Sequence, residues 1–199
     1  MTEERKISIS KTLCYLLRHH PEKIHLDMDL HGGYVKIDQL LNHLQKYYKI
    51  KLTMEELFEI VSTDNKQRFA FKDDTIKCCQ GHSIEGLIPE IIKVGKDFTP
   101  KILYHGTTQE AYYGHIIDSG KISKMQRHHV HLSGDIKTAF KVASRRKKDF
   151  VILFVNVHQM MEDGYDLFVS ENNVYLVDEV PTKYIIEVHN HKYYKKEKE

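Results

Sequence analysis

Apolar residues recur at three- and four-residue steps from the start of the chain. Ile7, Ile9, Leu13, Leu16 and Leu17 form such a series, and Pro21 follows it, which predicts a helix over residues 3–20. A turn at Leu30-His31-Gly32-Gly33 leads to a short strand at Tyr34-Val35, and Ile37 to Tyr47 has the period of a second helix. Thr53-Met54-Glu55-Glu56 is a capping box, a hydroxyl followed three residues later by an acid, so a third helix is expected to about Ser62. Phe69, Phe71 and Ile76 flank Lys72-Asp73-Asp74-Thr75, a predicted hairpin turn. Three helices followed by a hairpin give the order of a winged helix.

The second half has a different texture. Residues 84–100 mix proline, glycine and charge, so a boundary is expected there. The expected division is residues 1–92, a linker at about 93–100, and residues 101–199. Lys101 to Tyr104 reads as a strand, residues 108–118 as a helix, and Val130-His131-Leu132 as a short strand. A helix over 135–146 follows, then a buried strand from Phe150 to Val155. Further short strands are expected near 166–169, 173–177 and 184–188, and the charged tail from His191 is expected to fray. Strands mixed with a few helices make the fold class α+β.

Charge changes this picture little at first. The chain has 199 residues, and 30 basic residues nearly balance 28 acidic ones, for a net charge of +2. That excludes a polycationic tail protein but leaves room for a local anion site. Only six of the 30 basic residues are arginine, so where those six fall matters. No apolar run approaches the roughly 20 residues that span a bilayer, and the first residues lack an apolar signal-peptide core, so no membrane association is expected. The odd set Cys14, Cys78 and Cys79 makes neither a disulfide framework nor a zinc pair, and a reducing cytoplasmic setting follows.

Five short constellations could carry chemistry. Arg18-His19-His20 closes the first helix. Arg18 offers a forked donor set suited to phosphate and His19 a proton near neutral pH, although cations there would also complement the helix dipole. Lys66-Gln67-Arg68 precedes the hairpin, and Gln80-Gly81-His82-Ser83 follows it. Tyr104-His105-Gly106-Thr107 lies between a strand and a helix, where the glycine would let a ligand approach the backbone. Arg127-His128-His129-Val130-His131-Leu132-Ser133 places His129 and His131 on one strand face. An H-x-H pair can bind metal, but no carboxylate lies within the motif and Arg127 would repel a cation, so no metal is expected. Neither nucleotide-binding glycine fingerprint, GxxxxGK[ST] or GxGxxG, is present.

Taken in order, these blocks resemble the NAD-dependent tRNA 2′-phosphotransferase family. The likeness begins at Ser10-Lys11 and runs through Leu17-Arg18-His19, Lys66-x-Arg68-Phe69 and Gln80 to Ser83. It continues through Tyr104 to Thr107 and Arg127 to Ser133, to Glu171-Asn172-Asn173-Val174-Tyr175-Leu176 and Val180-Pro181. It covers about residues 7–188. The resemblance implies an N-terminal winged-helix lobe that binds RNA and a C-terminal lobe similar to the NAD-binding fold of ADP-ribosyltransferases. It implies transfer of an internal RNA 2′-phosphate, as left at tRNA splice junctions, to NAD. The products would be 2′-hydroxyl RNA, nicotinamide and ADP-ribose 1″,2″-cyclic phosphate, through an ADP-ribosylated RNA phosphate. The family's catalytic group matches Arg18, His19, Arg68 and Arg127. His105, Gly106, Thr107, His129, His131 and Ser133 would line the NAD site. The expected partners are such an RNA and NAD, met by a monomer.

This chain departs from the family pattern in two places. Lys77-Cys78-Cys79 stands where the family carries an arginine and an asparagine, and Ser170 to Asn173 lacks a glycine that the family often has there. The residue chemistry agrees with the implied reaction. A 2′-phosphate is already anionic and needs no base, but it must be held in line and its charge offset, which three arginines can do. Two other readings compete. One is an ADP-ribosyltransferase acting on a protein or on nucleic-acid 5′-phosphate ends, and the other is a non-enzymatic RNA-binding module.

Overall fold

The computed structural model describes residues 1–146 and 148–190; the tail from residue 191 lies outside the described residues. Mixed helix and strand divide into two compact units, Met1–Glu90 and a second beginning at Ile91.

In the first unit, α1 (Glu3–Arg18) starts at Thr2, whose hydroxyl accepts the Arg5 amide, and carries Glu3 and Glu4 in its positive first turn. It ends two residues earlier than its sequence period suggests, with His19 as C-cap. Ile9, Leu13, Leu16 and Leu17 are buried, whereas Ile7 is 53% exposed, because it falls on the opposite side of the helix from Ile9. The strands β1 (Met28–Asp29) and β2 (Tyr34–Lys36) lead into α2 (Ile37–Tyr48) and α3 (Met54–Ser62). Both halves of the Thr53–Glu56 capping box form. The hairpin of β3 (Phe69–Lys72) and β4 (Thr75–Cys78) completes an antiparallel sheet of order β1-β2-β4-β3. Leu13, Leu17, Leu40, Leu44, Leu57 and Ile76 fill the space between the helices and this sheet.

The second unit begins earlier than residue 101. Strand β5 (Ile92–Lys93) pairs with β10 (Phe168–Val169), so part of the expected linker is sheet. The long strand β6 (Ile102–Thr108) runs into α4 (Gln109–Ala111), a π-helical turn Tyr112–Ile116 and α5 (Ile117–Ser119). Then come β7 (Lys121–Ser123), β8 (Val130–Leu132), α6 (Ile136–Ala143), β9 (Phe150–Asn156) and α7 (Val157–Glu162). The chain closes with β10, β11 (Tyr175–Val177), β12 (Glu179–Pro181) and β13 (Ile185–Asn190). One sheet has order β13-β9-β6, a second β5-β10-β11-β8, and β7 pairs with β12. A bridge between Tyr104 and Ser133 links β6 to the end of β8. Strands of two or three residues, such as β5, β7 and β12, are too short to carry a period and went unread in the sequence.

Candidate functional site

The first unit joins two motifs that lie far apart in the chain. The segment after β4 folds back over the end of α1, where the Ser83 amide donates to the Arg18 carbonyl at 2.9 Å. The Ser83 hydroxyl lies 2.8 Å from His19 Nδ1. Gly81 turns the chain at φ +89°, and a Cβ there would sit 3.6 Å from the Arg18 guanidinium carbon. The segment thus covers Arg18 and orients His19. Arg18 Nε and Nη2 are buried with no hydrogen-bond partner among the described residues. A covered guanidinium ordinarily has its donors met. These two nitrogens leave their hydrogen-bonding capacity unmet, and a phosphate oxygen suits the guanidinium fork.

Arg68 is held differently. Its Nε and Nη2 donate to the Asp64 carboxylate at 3.1 and 2.6 Å, and its backbone amide donates to the same group at 2.7 Å. The Asp64 side chain is 3% exposed and that of Arg68 27%. Burial would raise the Asp64 carboxyl's pKa, but the bonds from Arg68 outweigh it and hold it below the usual aspartate range. Arg18 and Arg68 both act electrostatically on Cys14, so α1 and the start of β3 bring the two cations to one neighbourhood. Asp64 was not read from the sequence. The only signal for Asp64 was its spacing of four from Arg68, which has no meaning outside a helix until the turn is known.

In the second unit, Arg127, His105, His131 and Ser133 gather where β6 meets β8. The Arg127 guanidinium donates to His131 Nδ1 at 3.1 Å. His105 Nδ1 lies 2.9 Å from the His131 carbonyl oxygen, which requires the proton on Nδ1 and leaves Nε2 as an acceptor. Burial lowers the His105 pKa, and the Arg127 charge acts in the same direction, so the ring is neutral at pH 7. His129 lies 6.0 Å from the Phe168 ring, and burial lowers its pKa too. His131, Leu176 and Phe168 are aligned across the sheet and share a face, to which His129 also belongs by strand alternation.

The His105-Gly106-Thr107 motif sits differently from expectation. It lies within β6 rather than after a strand, and Thr108 caps the following helix by accepting the Ala111 amide at 3.1 Å. The missing Gly106 side chain makes room for α6, since a Cβ there would meet the Ala139 carbonyl oxygen at 2.4 Å. Its backbone has another use. Tyr104 exchanges both backbone hydrogen bonds with Ser133, at 2.9 and 2.7 Å, on the side of β6 away from β9. Alternation along an antiparallel strand aims the Gly106 amide and carbonyl to that same edge.

The family model described as RNA 2′-phosphotransferase, Tpt1/KptA family, matches residues 4–179. The chain belongs to that family. A relative from Rhizobium leguminosarum bv. trifolii is 38% identical over 189 residues, covering 93% of this chain and 96% of its own. Relatives from Trichormus variabilis and Flavobacterium johnsoniae are 39% and 40% identical, each covering 93% of this chain and 98% of theirs. Each of the three carries the name "Probable RNA 2′-phosphotransferase". The protein is a transferase of this family.

Both departures from the RNA 2′-phosphotransferase pattern have a structural reading. Lys77 is 1% exposed; it pairs with Glu90 and lies 4.7 Å from the Tyr34 ring centroid. Tyr34 also donates to Glu90, at 2.8 Å. Lys77 is therefore a buried tie within the unit, with its charge turned away from solvent. In the second departure Asn173 takes φ +56°, the left-handed region that glycine enters most readily and asparagine next. The turn closes with Asn173 donating to the Ser170 carbonyl at 2.9 Å and Ser170 donating to that of Val174 at 3.0 Å.

Proposed function

We propose that this transferase removes an internal 2′-phosphate from RNA, as left at a tRNA splice junction, and that NAD is its acceptor. Family membership supports the RNA 2′-phosphate, and the observation that carries the phosphate site is Arg18, half-buried, with two covered guanidinium nitrogens that have no partner among the described residues. Arg18 and Arg68 bind the phosphate oxygens and offset their charge, Arg68 with its position set by Asp64. His19, oriented by Ser83, contacts the phosphate and stands as candidate general acid for the departing RNA 2′-oxygen. In the second unit, Arg127 is a cation of the kind that offsets charge building on phosphoryl oxygens. In the topology of the first unit we read a winged helix that grips RNA, and in the second an ADP-ribosyltransferase-like lobe.

The second unit's residues suit a nicotinamide nucleotide. The outward Gly106 amide and carbonyl offer a carboxamide a donor and an acceptor side by side, as Tyr104 offers Ser133. His105 Nε2 is free to accept from a ribose hydroxyl. When bound, NAD supplies an electrophilic ribose carbon and carries the phosphate off as ADP-ribose 1″,2″-cyclic phosphate. The test is incubation with NAD and a short RNA bearing an internal 2′-phosphate, with products identified by mass. Appearance of 2′-hydroxyl RNA together with the cyclic phosphate is expected. A stable ADP-ribose adduct would instead favour an ADP-ribosyltransferase, and RNA binding without NAD consumption a binding module.

A further inference from the structure

The first unit carries a pair of aromatic rings beside Arg18 and His19 that has no part in the reaction above. Lys11, Tyr15 and His19 follow one another at steps of four residues, so they lie along one stripe of α1 and its cap. Pro21 follows the end of the helix, and the His20 ring folds back to 4.6 Å from that of Tyr15, tilted by 43°. The His20 ring centre is 6.3 Å from that of His19. A line of rings thus runs from His19, held by Ser83, through His20 to Tyr15. Lys23 Nζ lies 2.5 Å from the Tyr15 hydroxyl and 5.0 Å from its ring centre, which puts the cation beyond the phenol oxygen rather than over a ring face.

Packing of the fold does not account for the pair. Tyr15 is 36% exposed and stands outside the core of the first unit, and 41% of the His20 side chain is exposed. His20 Nδ1 lies 3.0 Å from the Glu22 carboxylate, a contact in the plane of the ring that leaves its faces uninvolved. Lys11 and Lys23 outweigh Glu22 at the margin of the pair, so its surroundings favour an anion. Exposed ring faces beside cations suit one ligand chemistry in particular. A single-stranded nucleic acid stacks its bases on the rings and brings its phosphates to the cations.

We propose that Tyr15 and His20 form a stacking platform for one base of the RNA strand, within one nucleotide of the phosphorylated ribose. The platform presupposes the reading of Arg18 and His19 as the 2′-phosphate site. The His20 ring is close enough to that of His19 for a strand whose phosphate is held there to lay an adjoining base on it. His20 is the outer ring and Tyr15 backs it. Lys23, at the phenol edge, is placed to meet a backbone phosphate of the same strand. Every base offers a π face, so the platform sets the register of the strand rather than reading its sequence. It thereby determines which ribose is presented to Arg18, and favours a 2′-phosphate inside a strand over one on a lone nucleotide.

The test is an anisotropy titration of the full-length protein with a short fluorescent RNA bearing one internal 2′-phosphate, with NAD left out so that the RNA is not turned over. His20→Ala should weaken binding about tenfold, whereas His20→Phe, which keeps a ring and drops the imidazole, should bind as the wild type does. Tyr15→Leu, checked by a thermal melt, should behave as His20→Ala does. Removing the base of the phosphorylated nucleotide or of one neighbour should cost the wild type about tenfold at one of these positions. The same removal should cost His20→Ala little more, because the contact is already gone. Additive losses in His20→Ala, or His20→Phe binding as weakly as His20→Ala, would overturn the platform. Indifference of the wild type to every base removal would overturn it too, and would leave the phosphate site standing if the 2′-phosphate RNA still binds more tightly than its 2′-hydroxyl counterpart. Loss of that preference would remove the phosphate reading and the platform with it.

Discussion

Arg68 and Asn173 show how much a single side chain can settle. Arg68 is held through two guanidinium nitrogens and its own amide by one buried carboxylate. Asp64→Asn keeps the shape but removes the charge that fixes the fork, and it should lower kcat/KM about tenfold, roughly 1.4 kcal/mol of transition-state binding. Steady-state kinetics beside a thermal melt would separate loss of activity from loss of fold. The clamp also has a pH signature. The Asp64 carboxyl is depressed in the folded state, so its contribution is complete above the unfolded aspartate value of about 4 and is lost as pH falls through the lower folded value. A urea titration at successively lower pH should therefore show the wild type losing stability there more steeply than Asp64→Asn. At Asn173 the backbone is left-handed, so Asn173→Gly should be neutral or slightly stabilising. Asn173→Val should cost about 1–3 kcal/mol in the same titration, because a β-branched side chain is strained there.

Elements impose their own conditions. Strand β6 and helix α6 pack closely enough that a Cβ at Gly106 would press on the Ala139 carbonyl oxygen and on Ala143. Gly106→Ala should cost about 1–3 kcal/mol from overpacking and lower Tm. Gly114 makes a good contrast. It lies in the π-helical turn, and a Cβ there would meet nothing within 4 Å. Gly114→Ala should therefore leave Tm unchanged or raise it slightly, by about 0.4–1 kcal/mol of stability. Equal melting of the two variants would argue against this packing. The same strand explains why the motif was placed too late in the sequence. A glycine after a short apolar run looks like a strand end, yet β6 continues through it because α6 fills the space the side chain leaves.

At the scale of the molecule the question is how a nearly neutral chain handles a polyanion. Its basic residues are mostly lysine, and three of the six arginines sit in motifs for which we propose a role in phosphate chemistry. Two mutant classes should follow. Arg18→Ala removes a preorganised donor and should lower the rate by about a hundredfold or more, with a smaller effect on RNA affinity. Lys11→Ala removes an exposed charge from the outer face of α1 and should weaken RNA binding and flatten its salt dependence, with turnover retained. Rates and binding isotherms across a salt series would test both. Similar mild effects in the two classes would count against a dedicated phosphate site.

The sequence by itself determined the local elements and the family. Hydrophobic period, the Thr53–Glu56 capping box and the hairpin turn follow from short-range geometry, which neighbouring residues specify without help. The motifs Leu17-Arg18-His19, Gln80 to Ser83 and Arg127 to Ser133 were legible because their residue types are chemically distinctive. Only the tertiary structure decided what those side chains face. Packing of the post-β4 segment on α1 leaves Arg18 covered and waiting for acceptors, and turns Ser83 onto His19. The Asp64 clamp and the burial of Lys77 against Glu90 were decided there as well. Each depends on which surfaces close over one another, and burial sets the energy of a charge.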